Sequence, residues 1–252
     1  MGLFDKKYCS VCGEKIGFLG NRKLEDGNLC KECARKLSPW FDDRRHSTVD
    51  QIKAQLDYRE ANKAAVEAFH VTRSFGKEYK IYLDEDAQKF LVTRSGNFRE
   101  ENPDVLDFSM VTGCDLDISE EEEEILFTNK EGEKVSYNPP RFSYTYDFDM
   151  ILRVNHPYFD DMKFRLNPSG VEIRPNAMGI RSLNPRANRD YAEYEQMGNE
   201  IRETLMQVRQ EAREQAAQAN APKVAVTCPW CGATVLPDAN GCCEYCGGAL
   251  NG

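Results

Sequence analysis

Hydrophobic and polar positions alternate most clearly in the middle of the chain. In the stretch YTYDFDMILRV every second residue is apolar, and these residues are Tyr144, Tyr146, Phe148, Met150, Leu152 and Val154. A period of two predicts a strand with one buried face. Shorter stretches of the same kind lie on both sides, including YKIYL, MKFRL and VEIR. We therefore expect residues 76–175 to form about seven antiparallel strands in a small sandwich or barrel.

Residues 47–73 have the spacing of an α-helix. Thr48 and Gln51 match a capping box at its start, in which each side chain binds the backbone N–H of the other residue. One face of this helix would present Ile52, Leu56, Arg59, Lys63, Val66 and Phe69. Because the middle of that face is polar, we expect the helix to be partly exposed to solvent.

Residues 185–220 predict a second, longer helix. Its apolar positions step alternately by three and four residues, and they are Tyr191, Tyr194, Gly198, Ile201, Leu205, Val208 and Ala212. This spacing gives a heptad seam of about three repeats, near the minimum for a coiled coil. In one interpretation the first half packs on the β-domain and the Ala/Gln-rich end is a solvated spacer. In the other, the helix joins two copies of the chain in a homodimer.

Charge is distributed unevenly along the chain, whose formal net charge is −9. Residues 1–47 hold 10 basic and 7 acidic side chains, a balance of +3, whereas residues 76–175 hold 12 and 22, a balance of −10. Such an acidic region repels nucleic-acid phosphates and acidic lipids. For its most acidic stretch, Glu120 to Glu124, we expect a solvated loop and the start of a strand. A docking patch for a basic partner and a weak divalent-cation site are the alternatives.

Cysteine pairs with two intervening residues stand near both ends of the chain. The opening stretch MGLFDKKYCS lacks the apolar core of a secretion signal, so we expect a reducing, cytoplasmic location. In that compartment such pairs indicate metal binding, with disulfides as the alternative. We predict two structural Zn²⁺ ions, each with four sulfur ligands. The ligands are Cys9, Cys12, Cys30 and Cys33 in a module at residues 1–40, and Cys228, Cys231, Cys243 and Cys246 in a module at residues 222–252.

The residues around each pair predict its local structure. Glycine follows Cys12, Cys231 and Cys246, which suits the tight turn of a zinc knuckle. The remaining pair, in CKECARKL, has the pattern of a helix start, where thiolates are favoured. Knuckle, hairpin and helix together suggest a treble-clef-like first module, and two knuckles suggest a zinc ribbon at the other end. Cys242 is one residue too far from Cys246 for the spacing of two intervening residues, so we favour Cys243 as the ligand.

Several stretches resemble a known protein family. YCSVCGEKIGFLGNRKLEDGNLCKECARKLSPWF resembles an uncharacterised zinc-ribbon-like N-terminal domain of Gram-positive bacteria and their relatives. YLDEDAQKFLV, ENPDVLDFSMVTGCDLDI and RVNHPYFDDMKFRLN resemble the middle part of the same proteins, and Phe108 to Asp115 is similar to a strand of bacterial pleckstrin-homology-like domains. The last module looks like the double-knuckle zinc ribbon common in prokaryotes. The resemblance implies zinc binding, a cytoplasmic location and a pleckstrin-homology-like middle domain. Lipid-binding domains of that type need a basic loop cluster, whereas this domain is acidic.

These observations predict an α+β multidomain protein with no catalytic residues. A catalytic zinc usually keeps an open position, whereas four cysteines close the ligand shell. His46, His70 and His156 form no metal-ligand pair and no catalytic triad motif. We therefore expect a non-enzymatic interaction or scaffold protein with protein partners that remain to be identified, and no membrane attachment.

Nucleic-acid binding through the zinc modules is the alternative function. Trp40, Phe41 and Trp230 would then stack on bases. We favour instead that these aromatic side chains pack over a zinc site. Four thiolates and one Zn²⁺ contribute a charge of about −2 to each module, which weakens its attraction for phosphates.

Overall fold

The computed structural model describes residues 6–175, 184–219, 225–236 and 241–250. The chain divides into two compact units, Met1–Gln210 and Glu211–Gly252. Helices, two short hairpins and two four-stranded antiparallel sheets make up the first unit, and the second contains a small cysteine-rich module. Within the described parts of the chain, no helix has the length and apolar character needed to cross a membrane.

The N-terminal module consists of two short hairpins and a one-turn helix. Strand β1 (Lys7–Tyr8) pairs with β2 (Lys15–Ile16), and β3 (Arg22–Lys23) pairs with β4 (Asn28–Leu29). Helix α1 (Lys31–Ala34) follows, and a 3₁₀ turn at Asp43–His46 leads into helix α2 (Val49–Ala68). The core of the module contains Leu24, Leu29 and, from α2, Ile52. The first turns of α2 therefore belong to the packing of this module.

Helix α2 begins at the capping box that the sequence predicts. The Thr48 side chain accepts a hydrogen bond from the backbone N–H of Gln51, and the Gln51 side chain accepts one from the N–H of Thr48. The helix is partly exposed, as expected, and Lys63 of its polar middle is exposed, but Arg59 is buried. Arg59 and Asn62 are buried because polar groups of the loop at residues 102–104 face them, and buried Gln55 accepts the backbone N–H of Ser38.

That loop presents Asp104 to helix α2. The Arg59 Nη1 atom lies 2.7 Å from Oδ1 of Asp104, and the hydroxyl of Tyr58 donates to the same oxygen over 3.0 Å. The hydroxyl of Ser38, near the end of the N-terminal module, donates to Oδ2 over 2.7 Å. A buried carboxylate is stable only when its lone pairs are satisfied in this way. The network therefore connects the end of the N-terminal module, α2 and the β-domain.

The β-domain contains eight strands in two antiparallel sheets. The first sheet has the order β5 (Arg73–Phe75), β6 (Lys80–Asp84), β7 (Lys89–Thr93), β8 (Val105–Asp107), with the short helix α3 (Phe98–Glu101) between β7 and β8. The second sheet contains β9 (Val111–Thr128), β10 (Lys134–Val154), β11 (Asp161–Arg165) and β12 (Val171–Ile173). Strand β10 pairs with β9 and, on its other side, with β11 and β12. The predicted sheet-rich region is confirmed, but the strand pairings of the described residues do not close a barrel.

Strand β10 has the buried face that its alternation predicts. The buried side chains are Tyr144, Tyr146, Phe148, Met150, Leu152 and Val154. The Glu120–Glu124 run lies opposite this strand in regular antiparallel register, from Glu120 against Tyr146 to Glu124 against Phe142. The expected loop is therefore wrong, although the glutamates are exposed as expected. Continuous pairing with β10 satisfies the backbone, so this acidic stretch remains a strand despite its low β-propensity.

Helix α4 (Arg189–Ala219) follows a 3₁₀ turn at Pro185–Ala187. The ring of Tyr191 lies 4.9 Å from that of Tyr146 and 5.1 Å from that of Phe148, between ring centres. A Cβ atom added at Gly198 would lie 2.6 Å from Cδ1 of Leu116, so the helix approaches β9 closely. The first half of α4 therefore packs on the second sheet, while the homodimer stays a prediction. The predicted helix end near residue 220 lies outside the described residues.

The second unit contains the C-terminal cysteine module. Strand β13 (Val226–Thr227) pairs with β14 (Thr234–Val235). The buried residues of its core are Cys228, Val235 and Cys243, with Ala233 and Leu250 packed against them. So small an apolar core cannot hold a domain together by itself, and such modules generally need a metal or disulfides.

Candidate metal centres

The eight predicted ligand cysteines come together in two groups of four. One group contains Cys9, Cys12, Cys30 and Cys33, and the other contains Cys228, Cys231, Cys243 and Cys246. Within each group all the sulfur atoms lie within 4.8 Å of one another. Among the described residues, these are the only clusters of three or more Cys, His, Asp or Glu side chains that could share an ion. The cation-site alternative for Glu120 to Glu124 therefore gains no support.

The first group combines one knuckle with one helix start. In the knuckle, Cys9 N–H donates to the carbonyl of Glu14 over 2.8 Å, and Gly13 N–H donates to the carbonyl of Cys9 over 2.9 Å. Gly13 has φ of 75°, a left-handed conformation that glycine adopts without strain. Cys30 is the N-cap of α1, and its sulfur accepts the N–H of Cys33 over 3.3 Å. These contacts place the sulfur atoms of both pairs around one point.

The electrostatics of this group call for a cation. Burial by itself would raise the pKa of Cys9, but backbone N–H groups, led by that of Cys12, outweigh burial and lower this pKa to about 6. Burial and then the sulfurs of Cys30 and Cys12 raise the pKa of Cys33 far above its ordinary value. One thiolate therefore forms easily, and its charge opposes ionisation of the others. A divalent ion at the centre would remove that repulsion and allow all four cysteines to bind as thiolates.

The second group is built from two knuckles of the same design. Cys228 N–H donates to the carbonyl of Ala233 and Cys243 N–H donates to the carbonyl of Gly248, each over 2.8 Å. The residue that closes each turn is a glycine with positive φ: 73° at Gly232 and 69° at Gly247. The module is therefore a double-knuckle arrangement like that of a zinc ribbon.

The second group shows the same thiol electrostatics. Burial favours the neutral thiol at Cys228, yet the backbone N–H groups of Cys231 and Trp230 lower its pKa to about 7. At Cys246 the N–H of Gly248 lowers the pKa, but burial and the nearby sulfurs act more strongly and raise it to about 12. Each group thus holds one thiol with a lowered pKa, Cys9 or Cys228, beside one with a raised pKa, Cys33 or Cys246.

The sulfur separations fit tetrahedral zinc. Zn–S bonds of about 2.3 Å at tetrahedral angles place sulfurs about 3.8 Å apart. In the first group the Sγ atoms of Cys12 and Cys30 are 3.7 Å apart. In the second group those of Cys228 and Cys246 are 3.6 Å apart, and those of Cys231 and Cys243 are 3.7 Å apart. A disulfide would need about 2.05 Å, and no disulfide joins any of the ten cysteines. The two groups therefore fit two zinc ions.

The two cysteines outside the groups have other positions. Cys242 forms an isolated bridge with Ala249 and stays outside the sulfur group that contains Cys243. Cys114 is buried in β9, and its burial raises the pKa of its thiol to about 12. A buried neutral thiol of this kind is chemically inert.

Comparison with known proteins gives one match. Residues 7–55 match the model of a domain of unknown function (DUF4428). This domain spans both cysteine pairs of the first group and the first turns of α2. No curated protein and no solved structure matches the chain.

The aromatic side chains near the cysteines differ in their surroundings. Phe41 packs against the core of the N-terminal module, as expected. Trp40 instead lies 6.4 Å from both Tyr79 and Phe164, ring centre to ring centre, and so contacts the β-domain. Trp230 is 74% exposed, and its indole N–H donates to the carbonyl of Ala249 over 3.2 Å. Packing over a zinc site therefore describes Phe41 and not Trp40.

Sequence reasoning missed the Asp104 network. The signal in the sequence was weak, because Gln55, Arg59 and Asn62 interrupt the apolar stripe of α2 at helical spacing. Polar residues at buried positions of a helix indicate a polar partner. The partner loop is 40 to 45 residues away from Arg59 and Asn62 in the chain, so spacing alone could not identify it.

Proposed function

We propose that the protein is a non-enzymatic, zinc-binding interaction protein whose two terminal modules are held in shape by structural ions. The observation that carries this proposal is the pair of four-sulfur groups. Four thiolates fill the tetrahedral shell of zinc and leave no position for a substrate or a reactive water. The role of each ion is therefore to fold its module.

The acidic β-domain supports a role in docking. Among the described strands, β9 pairs on one side only, with β10, so its other edge is unpaired. Exposed carboxylates from Glu120 to Glu124 line this strand, and charged edges resist strand addition by other chains. The same charges suit a basic partner surface.

The finer fold of the β-domain is part of the proposal. Two four-stranded antiparallel sheets followed by a helix that packs on the second sheet support a pleckstrin-homology-like domain. The acidic balance of residues 76–175 argues against acidic lipids as its ligand. We propose a cytoplasmic protein with protein partners.

Nucleic-acid binding is less well supported. Of the three aromatic residues that could stack on bases, Phe41 and Trp40 are already used in packing. Trp230 alone of these three keeps an exposed ring.

Metal analysis tests the zinc assignment. We expect about two zinc ions per chain in reduced protein purified without added metal, measured by elemental mass spectrometry. Cys12→Ser and Cys246→Ser should each remove one ion, whereas Cys114→Ser should remove none. Stoichiometry near zero in the unmodified protein would disprove the structural role.

Cross-linking in the native cell tests the interaction role. Partners that are captured by the unmodified protein and lost with Cys12→Ser or Cys246→Ser would depend on a folded zinc module. A partner list that is identical for the unmodified and both variant proteins, or empty for all three, would contradict the proposal.

A further inference from the structure

A basic cleft of about 790 Å³ lies on the N-terminal module. Strand β3 forms one wall and the 3₁₀ turn before α2 forms the other. Its cationic lining residues are Arg22, Lys23, Arg44 and Arg45. The four side chains come from two segments that are distant in sequence, so the fold itself brings these charges together.

Four basic side chains and one acidic side chain, that of Glu25, line the cleft, which leaves it with a net positive charge. Other exposed basic side chains have carboxylate partners, for example Arg35 with Glu32 and Lys63 with Glu60. In the described parts of the chain, none of the four cleft residues has an ion-pair partner. Exposed clusters of unpaired like charges repel one another, which favours an external anion.

The guanidinium of Arg44 is held in place within the cleft. Its Nη1 atom donates to the backbone carbonyl of Lys23 over 2.7 Å. Burial, and then the charges of Arg22 and Arg45, lower the pKa of Arg44. The cations are thus close enough to act on one another and are partly fixed before any ligand arrives.

An exposed apolar turn adjoins the cleft. Phe18 is 91% exposed and Leu19 is 84% exposed. The Arg22 Nη1 atom donates to the carbonyl of Leu19 over 3.4 Å, so the turn and the cationic cluster touch. Two large apolar side chains that pack on nothing beside a cation cluster form a mixed surface typical of protein interfaces.

We propose that this cleft docks a short acidic segment of a partner protein, in which glutamate or aspartate side chains flank a bulky apolar residue. The proposal rests on the function proposed above, and it names the chemistry of the partner. Carboxylates would pair with the guanidinium forks of Arg22, Arg44 and Arg45, whose planar donors match carboxylate geometry. The apolar residue of the segment would cover Phe18 and Leu19.

The charge around the cleft favours a short acidic segment over nucleic acid. Residues 1–47 have a balance of +3 from 10 basic and 7 acidic side chains. Four thiolates with one Zn²⁺ subtract about 2, so the module as a whole is close to neutral. A long polyanion needs an extended basic track, whereas a few carboxylates need only the cleft.

Fluorescence anisotropy with the zinc-loaded full-length chain tests the proposal. The probe is a labelled peptide with glutamates on both sides of a central Leu-Phe pair. The comparison ligands are the same peptide with glutamine in place of glutamate, and a single-stranded oligonucleotide of equal charge. We expect the acidic peptide to bind more tightly than either.

Two double variants with the same change in net charge locate the binding site. Lys23→Gln with Arg45→Gln should weaken peptide binding about tenfold. The side chains of Lys23 and Arg45 make no hydrogen bond within the described structure, so the module should keep its fold and its zinc. Lys130→Gln with Lys134→Gln, at the exposed turn end of the β9–β10 hairpin, should leave binding unchanged.

Phe18→Ser tests the apolar contact. We expect this substitution to reduce the affinity for the Leu-Phe peptide about threefold. Three results would each overturn the proposal: no peptide binding, tighter binding of the oligonucleotide, or equal weakening by both double variants. If the peptide fails while two zinc ions per chain are present, the cleft assignment fails and the zinc-dependent interaction role does not.

Discussion

Arg59 and Asp104 form an ion pair from which solvent is excluded. Nη1 of Arg59 lies 2.7 Å from Oδ1 of Asp104, and the two side chains are 8% and 0% exposed. Arg59 also donates from Nε to the carbonyl of Lys36, three residues after Cys33. One side chain of α2 therefore contacts both the β-domain loop and the segment that follows the first cysteine group.

Replacement of Asp104 should destabilise the first unit strongly. Asp104→Ala leaves the Arg59 charge buried without its charged partner, and such a loss typically reduces the free energy of unfolding by about 3–5 kcal/mol. Urea denaturation followed by circular dichroism measures the change. The control is Asp115→Ala, which removes an exposed partner of Arg153 and should have an effect below about 1 kcal/mol. Similar effects of the two substitutions would show that the buried pair does not stabilise the fold.

Removal of metal should unfold the cysteine modules and spare the β-domain. The sheets bury Phe90, Phe148 and Met150 without any help from sulfur ligands, whereas the C-terminal module has a core of only a few side chains. After chelation, limited proteolysis should cut first within residues 6–36 and 225–250. Added zinc should restore protection. Equally rapid cleavage within residues 73–173 would contradict this expectation.

A large side chain at Gly198 should weaken the packing of α4 on the sheet. A Cβ atom there would lie 2.6 Å from Cδ1 and 3.1 Å from Cγ of Leu116. Gly198→Leu should therefore lower the free energy of unfolding by about 1–3 kcal/mol through overpacking. Gln196→Leu, at an exposed position of the same helix, is the matched control and should change it by less than about 0.5 kcal/mol. The idea fails if the Gly198 variant is as stable as the control.

Alanine substitutions at two glycines of the N-terminal module should distinguish the effect of backbone strain from that of steric contact. A Cβ atom at either Gly13 or Gly17 would have no neighbour within 4 Å, but only Gly13, at +75°, has φ in the left-handed region. Gly13→Ala should therefore strain the knuckle by about 1–2 kcal/mol and weaken zinc binding about tenfold. Competition with a chromogenic chelator measures this difference. Gly17→Ala should bind zinc normally, and equal affinities would rule out strain at the knuckle as a factor.

Sequence spacing predicted the features that depend on local geometry. Two cysteines with two residues between them and a glycine after the second define a knuckle almost without reference to the rest of the chain. For the same reason the alternation from Tyr144 to Val154 predicted the buried face of β10, and Thr48 with Gln51 predicted the start of α2. Each of these signals lies within a dozen residues.

Features that depend on distant partners were not predictable in this way. Arg59 was expected on a partly exposed face, because nothing near it in sequence indicates that Asp104 covers it. The glutamates from Glu120 to Glu124 suggested a loop, because their low strand propensity is visible locally and their pairing with β10 is not. Strand count likewise could not show whether the sheets close into a barrel.

The hairpin of β9 and β10 has a consequence for how the chain folds. Its turn is closed by a hydrogen bond from Asn129 N–H to the carbonyl of Glu133. Pairing then extends from Lys134 and Thr128 to Val154 and Val111, with register shifts after Ser136 and after Arg153. Contacts that begin at a tight turn close small loops first, and chains with such sequence-local pairing fold quickly. The largest sheet can thus assemble by zippering outward from one turn, early in folding and independently of metal uptake at either end.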